Sequence, residues 1–154
     1  MGLEDEAAVL RGNPLFERVD AARLKLLAFT SDRQVFEVGD TLFREGEIAD
    51  AAFIILEGEA EIVAATMQGP MTVAVRGRND IVGEMGILCD RPRTMTVRAK
   101  SRLQTLAIEK TVFRQLLLDF PEIAVEVARV LAERLAATTS LLTRAMDDRI
   151  GTIQ

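Results

Sequence analysis

The stretch that decides the fold is Val82–Val97, VGEMGILCDRPRTMTV, where a glutamate set between Gly83 and Gly86 precedes an arginine by nine residues in an apolar, β-branched setting. Glycines beside Glu84 let backbone N–H groups approach an anion closely, and Arg93 offers a planar fork of donors matched to the oxygens of such a group. The Glu84 carboxylate can accept hydrogen bonds from neutral hydroxyls. The stretch therefore reads as a clamp with a cation for the anionic part of a ligand and an acceptor for its diol.

Around this clamp, from Arg33 to about Glu109, the chain consists of short β-like runs divided by turn residues. Val35–Phe36 precedes Gly39–Asp40, Phe53–Leu56 precedes Glu57–Gly58, and Ala60–Thr66 precedes Gln68–Gly69–Pro70. Apolar and polar residues alternate in Thr72–Arg76 and Thr94–Arg98, as in strands with one buried face, and Leu103, Leu106 and Ile108 continue the pattern. Many short strands at close spacing predict a sandwich or barrel.

Helices flank this region. Ala7, Val9 and Leu10 begin a short helix that Gly12, Asn13 and Pro14 interrupt, and Asp20 is placed to cap a second helix through Leu24, Leu27 and Ala28. After Glu109, Val112, Phe113, Leu116 and Leu117 share a helical stripe that should end near Phe120–Pro121. From Glu122 to about Arg149 there is neither proline nor glycine, enough for about 40 Å of helix at 1.5 Å per residue. Ala124, Ala128, Leu131, Leu135, Thr138, Leu142 and Ala145 follow coiled-coil spacing, while Ile123, Val127, Val130, Ala137 and Leu141 occupy a neighbouring face. One face is expected to dock on the barrel and the other on a second copy, making the helix 122–149 a homodimer contact.

Composition narrows the chemistry. A chain of 154 residues supports one core with an appendage, and 49% hydrophobic with 28% charged residues is ordinary for a folded soluble protein. The net charge of −5 argues against general nucleic-acid binding, and Arg76, Arg78, Arg91, Arg98, Lys100 and Arg102 read as a solvated face, with Arg93 the exception. The absence of histidine removes most metal sites, the serine–histidine–acid triad and the usual general base, so an enzyme is not expected. The single cysteine, Cys89, forms no internal disulfide and reads as a small packing residue. No apolar run approaches membrane-spanning length and the acidic N-terminus is no signal peptide, so the expected location is cytoplasmic.

With these motifs in order, the chain resembles the cyclic nucleotide-binding domain family shared by the bacterial catabolite activator protein, protein kinase regulatory subunits and cyclic-nucleotide-gated channels. The resemblance rests on two blocks in order. The first is VGDTLFREGEIADAAFIILEGEAEIV, Val38–Val63, with Gly39, Gly46 and Gly58 at its turns, and the second is the Val82–Val97 stretch, which this family calls its phosphate-binding cassette. It implies an α+β fold in which an eight-stranded antiparallel β-roll, a jelly-roll-like barrel, carries N-terminal helices, a short helix inside the cassette and two C-terminal helices. One domain, 1–154, would comprise a helical preface (1–32), the roll (33–109, cassette 82–97) and the C-terminal helices (110–154).

The resemblance further implies that Arg93 pairs with the exocyclic oxygens of a cyclic phosphate, with the backbone N–H groups of Gly86 and Thr94 nearby, and that Glu84 and the backbone of Gly83 bind the ribose 2′-hydroxyl. The segment LAERLAATT resembles the region where two adjacent hydroxyl residues of the catabolite activator protein approach the adenine amino group, which places Thr138 and Thr139 there. That likeness favours cyclic AMP over cyclic GMP, although Thr94 fits either, and Met95 departs from the small residue usual at its position. No cofactor is implied beyond the nucleotide ligand. The chain stops at Gln154, where the family's transcription factors continue into a helix-turn-helix. The expectation is therefore a cytosolic sensor whose C-terminal helices repack on binding and are read by a dimer or an unknown downstream protein. The alternative is a structural or dimerisation module that kept the fold without its ligand. A cupin-like metal enzyme is disfavoured by the lack of histidine.

Overall fold

The apolar run Ala51–Leu56 is the spine of the molecule. It lies in strand β3 (Ala51–Glu57) of the computed structural model, which describes the backbone of residues 3–153 and the side chains of residues 6–148. Successive side chains of a strand point to opposite faces. Phe53 and Ile55 therefore enter one cluster, with Phe43, Ala60, Val82, Val97, Ala99, Leu103 and Ala107. Ala52, Ile54 and Leu56 enter another, with residues such as Leu10, Phe16, Leu24, Ile87, Leu106, Ile108, Phe113 and Ile123. A strand buried on both sides has no solvent face to mark with polar residues, which is why this run is unbroken. Strand β8 (Leu103–Glu109) is divided in the same way, Leu103 and Ala107 facing one cluster and Leu106 and Ile108 the other.

The remaining strands are β1 (Asp32–Phe36), β2 (Thr41–Phe43), β4 (Ala60–Thr66), β5 (Gly69–Arg76), β6 (Ile81–Val82) and β7 (Thr96–Ala99). They form two four-stranded antiparallel sheets, β1-β8-β3-β6 and β2-β7-β4-β5, with the Phe43–Phe53 cluster between them. This is the anticipated jelly-roll-like β-roll with one adjustment. It is two facing sheets rather than a closed barrel, because among the described residues no ladder joins the edge strands β1 and β6 to β2 or β5. Register shifts at Thr41/Phe43, Ile55/Glu57 and Ile62/Val63 bend the strands around the shared core. The β3–β4 turn depends on Gly58, at φ +93°, where a Cβ would lie 2.2 Å from the Arg102 carbonyl oxygen.

Helices cover the outer face of the β1-β8-β3-β6 sheet. They are α1 (Leu3–Arg11), a 3₁₀ turn (Pro14–Phe16), α2 (Ala21–Thr30), α4 (Lys110–Asp119) and α5 (Pro121–Ile153), while the five-residue α3 (Glu84–Leu88) lies inside the cassette. Asp20 caps α2 by accepting from the Arg23 N–H at 2.9 Å. Asn13, fully buried, accepts from the Leu15 N–H at 3.0 Å and donates to the Asn79 carbonyl at 2.7 Å, so it fastens the helical preface to the β5–β6 turn. Ile87 of α3 reaches the same helical cluster as Phe113 and Ile123, which gives the cassette an apolar foot among the C-terminal helices.

Helix α5 has 33 residues, about 50 Å, and continues past Arg149 and through Gly151. Ile123 and Val127 are buried and Val130, Leu131 and Arg134 half-buried, so this stripe packs into the cluster shared with the other helices and the outer sheet face, where docking on the barrel itself was expected. Its later members, Ala137 and Leu141, do not: every side chain from Leu135 to Asp148 is exposed. Among the described residues, no helix is long and apolar enough to cross a membrane.

Candidate ligand-binding site

Arg93 is the most constrained polar residue of the cassette. Its backbone is clipped to the β2–β3 loop by two bonds of 2.8 Å, its own N–H donating to the Glu47 carbonyl and its carbonyl accepting from the Gly46 N–H. This turns the side chain inward, where it is 4% exposed. Nη1 donates to the Gly83 carbonyl at 2.7 Å and Nη2 to the Ala51 carbonyl at 2.6 Å, while the Phe43 ring centre lies 3.9 Å from Cζ. The Asp50 carboxylate is 3.8 Å from Nη2 but its side chain is 86% exposed. Burial pulls the pKa of Arg93 down from its usual value, and Asp50, Glu47 and Glu84 oppose that shift. A guanidinium has five N–H donors, and the two carbonyls occupy only part of that set. Nε is buried with no hydrogen-bond partner among the described residues, an orphan donor of the kind that costs about 1–3 kcal/mol unless something accepts from it.

The local sequence builds this cradle. Gly83 takes a left-handed conformation, φ +81°, to turn β6 into α3, and a Cβ on it would lie 2.7 Å from Arg93 Nη1. A Cβ on Gly86 would come within 2.5 Å of the Ala49 Cβ, so that glycine lets the cassette close against the β2–β3 loop.

Glu84, at the start of α3, is 3% exposed. Its partner is Arg134 of α5, fifty residues away, which donates from Nη1 to Glu84 Oε1 at 2.8 Å and from Nη2 to the Ile81 carbonyl at 2.9 Å. Burial pushes the Glu84 pKa up, opposed first by Arg134 and then by its own backbone N–H, Arg76 and Arg93. Arg76, at the end of β5, is half-buried rather than fully solvated, and its pKa is lowered by burial and then by the repulsion of Arg134. Three guanidiniums, Arg134, Arg76 and Arg93, thus act on one buried carboxylate, while Asp50 and Glu47 offset Arg93 and Asp80 offsets Arg76.

Gly83, Glu84, Gly86 and Arg93 lie together in the cassette. Thr94 follows Arg93 with an exposed side chain. Thr138 and Thr139 lie one turn beyond Arg134 and are exposed, with Thr138 donating to the Arg134 carbonyl at 3.0 Å and the Thr139 carbonyl accepting from Thr143. No hydrogen bond among the described residues ties either threonine to the cassette. Cys89 corrects an expectation: it is exposed, not packed, because it ends α3 on the solvent side while Ile87 takes the core position. Arg134 and Asp50 were not singled out from the sequence. Arg134 carried a readable signal, for it continues the apolar stripe Ile123–Val127–Val130 at helical spacing, and a charge on a docking face needs a partner.

The raised Glu84 pKa has a definite sign. The native state holds this proton more tightly than the unfolded chain does, so stability associated with Glu84 is fully present below the ordinary glutamate range. It is lost as pH climbs through the raised value. Urea unfolding between about pH 4 and 7 should show native protein losing stability with rising pH relative to Glu84→Gln. A constant difference between the two would contradict the assignment.

The chain and its fold resemble known proteins. Residues 33–120 match the cyclic nucleotide-binding domain family. The chain is 29% identical over 129 residues to a CRP-like cAMP-activated global transcriptional regulator of Mycobacterium tuberculosis, covering 83% of this chain and 58% of the regulator. Among solved structures, a cyclic nucleotide-binding-like protein from Brucella abortus is 33% identical with a TM-score of 0.62, covering 73% of this chain and 97% of that one. The regulatory subunit of a cAMP-independent protein kinase A from Trypanosoma brucei is 26% identical with a TM-score of 0.74, covering 83% and 46%. The chain thus spans little more than half of the mycobacterial regulator and less than half of the kinase subunit. With more than half of its length matched by the family's model, this chain belongs to the cyclic nucleotide-binding domain family.

Proposed function

We propose that this protein is a regulatory module that binds a cyclic nucleotide, cyclic AMP in preference to cyclic GMP, and signals occupancy through its C-terminal helices. The observation that carries the reading is the buried Arg93 guanidinium with its orphan Nε, in the same cassette as the buried carboxylate of Glu84. A cyclic phosphate carries one negative charge, and a cation already out of water interacts with it more strongly than a solvated one. The ribose 2′-hydroxyl is a donor suited to Glu84. The preference for cyclic AMP is supported by the LAERLAATT resemblance and by the description of the mycobacterial relative as cAMP-activated. The trypanosomal relative, described as cAMP-independent, marks how far members of the family differ. The reading includes a cytoplasmic, non-enzymatic role.

Signalling follows from the partner that Glu84 already has. A hydroxyl that bonds Glu84 competes with Arg134, and Arg134 is the α5 side chain that reaches both Glu84 and the Ile81 carbonyl. Ligand and helix therefore share one carboxylate, and occupancy shifts α5 by as much as the nucleotide distinguishes the two arrangements. The exposed half of α5 presents Leu135, Leu141, Leu142 and Met146, each more than half exposed. An isolated helical end of this kind is marginal in water, and its heptad stripe supports pairing with a second copy.

Calorimetry with cyclic AMP and cyclic GMP tests the binding reading. Wild-type protein should bind cyclic AMP more tightly, and Arg93→Ala should lose about 2–5 kcal/mol of affinity, the usual cost of removing one partner from a buried charge pair. Unchanged affinity in the variant would refute the clamp. Hydrogen exchange over residues 110–148 should change on nucleotide addition in wild type and respond less in Arg134→Met; identical protection with and without ligand would refute the relay. Sedimentation should show a dimer that Leu135→Lys with Leu142→Lys dissociates, whereas a wild-type monomer at all concentrations would remove pairing from the reading.

A further inference from the structure

One contact of Arg93 comes from neither a carbonyl nor a carboxylate. Building on the reading of Arg93 as the phosphate-binding cation, we propose that Phe43 is a positioning residue. It holds the Arg93 guanidinium against its ring face, so that the guanidinium edge carrying Nε stays free for the ligand.

The Phe43 ring centre is 3.9 Å from Arg93 Cζ, which is van der Waals contact between a π face and a cation, and both residues are at least nine-tenths buried. A cation taken out of water needs replacement for its lost hydration. The Gly83 and Ala51 carbonyls supply dipoles but no net charge, and Asp50 is too solvated at 3.8 Å to compensate for the burial by itself. The negative face of the ring fills the remaining direction. These contacts also divide the work by direction: the carbonyls accept from Nη1 and Nη2, the ring covers a face, and Nε is left without a partner.

The ring is itself held in place. Phe43 ends β2 at the register shift opposite Val97 of β7. It tilts against Phe53 with ring centres 6.0 Å apart, and Phe53 meets Phe36 edge-on at 6.4 Å. A Cβ on Gly83 would fall 3.3 Å from Phe43 Cζ as well as 2.7 Å from Arg93 Nη1, so ring and guanidinium converge where only glycine leaves room for both. A leucine at 43 would fill much of the same space and present no π face. Ligand affinity should therefore follow the electron density of this ring and not only its size.

The test replaces Phe43 with mono-, di- and trifluorinated phenylalanines, which drain the ring face at nearly constant shape, and with leucine. Cyclic AMP affinity is read by calorimetry and folding by thermal unfolding. Affinity should fall stepwise with fluorination, reaching about five- to thirtyfold for the trifluorinated ring, while the same series at Phe53 stays level. A level response at Phe43, with loss only in Phe43→Leu, would mean that the ring merely fills space and would overturn the proposal. Should wild type bind no cyclic nucleotide, the functional reading fails separately, and the Arg93 Nε–H resonance then decides. Ring-current displacement of that resonance in wild type, removed by Phe43→Leu and kept in Phe53→Leu, supports the positioning role; a resonance indifferent to Phe43 overturns it.

Discussion

A guanidinium held out of water without a buried carboxylate of its own is the constraint around which the cassette is arranged. Arg93 takes acceptors from the start of β3 and from the turn before α3, a ring face from β2 and two backbone bonds from the β2–β3 loop. Four separate pieces of chain are thereby pinned to one side chain. A lysine in its place would bring a compact point charge that cannot meet two carbonyls in one plane and lie flat on a ring together. The local glycines follow from the same demand, because Gly83 must leave space for Nη1 and Gly86 must let Ala49 come close.

The second buried charge is organised differently. Glu84 is compensated by a formal opposite charge, Arg134, supplied from a helix far away in sequence. Removing a single member of such a pair leaves the other buried and unpaired, which is far costlier than an exposed ion pair is worth. Surface pairs on the same helix, such as Arg129 with Glu126 and Glu133, are local and solvated and contribute little by comparison. The link between cassette and α5 therefore has two parts, the polar Glu84–Arg134 contact and the apolar foot of Ile87 beside Phe113 and Ile123. The two lie three residues apart on α3 but differ in chemistry, the first a charged hydrogen bond and the second apolar packing.

Much of the architecture was legible because its signals are local. The turn glycines, the Asp20 cap and the break at Phe120–Pro121 act through backbone sterics and near-neighbour hydrogen bonds, which a sequence displays directly. The alternation in Thr94–Arg98, by contrast, becomes a strand only from Thr96 and leaves Met95 exposed. The unbroken run Ala51–Leu56 marked a strand but not its two cores, since continuous apolarity does not say which face meets which layer. Cys89 departs from the expectation for a related reason: at the end of a five-residue helix, small differences in orientation decide whether a residue points inward, and Ile87 takes the inner position.

By itself, the sequence determined where the turns, the Asp20 cap and the flanking helices fall, and it singled out Glu84 and Arg93 of the cassette as the residues to follow. The tertiary structure alone decided their partners. Arg93 meets Ala51 and Phe43, and Glu84 meets Arg134, through contacts spanning 42 to 50 residues in the bonds to Ala51 and Arg134. Local propensity is set by a residue and its immediate neighbours, whereas the acceptor of a buried donor is set by whichever atoms the folded sheets and helices bring within about 3 Å of it. That distance is a property of the packed layers, and no spacing along the chain encodes it.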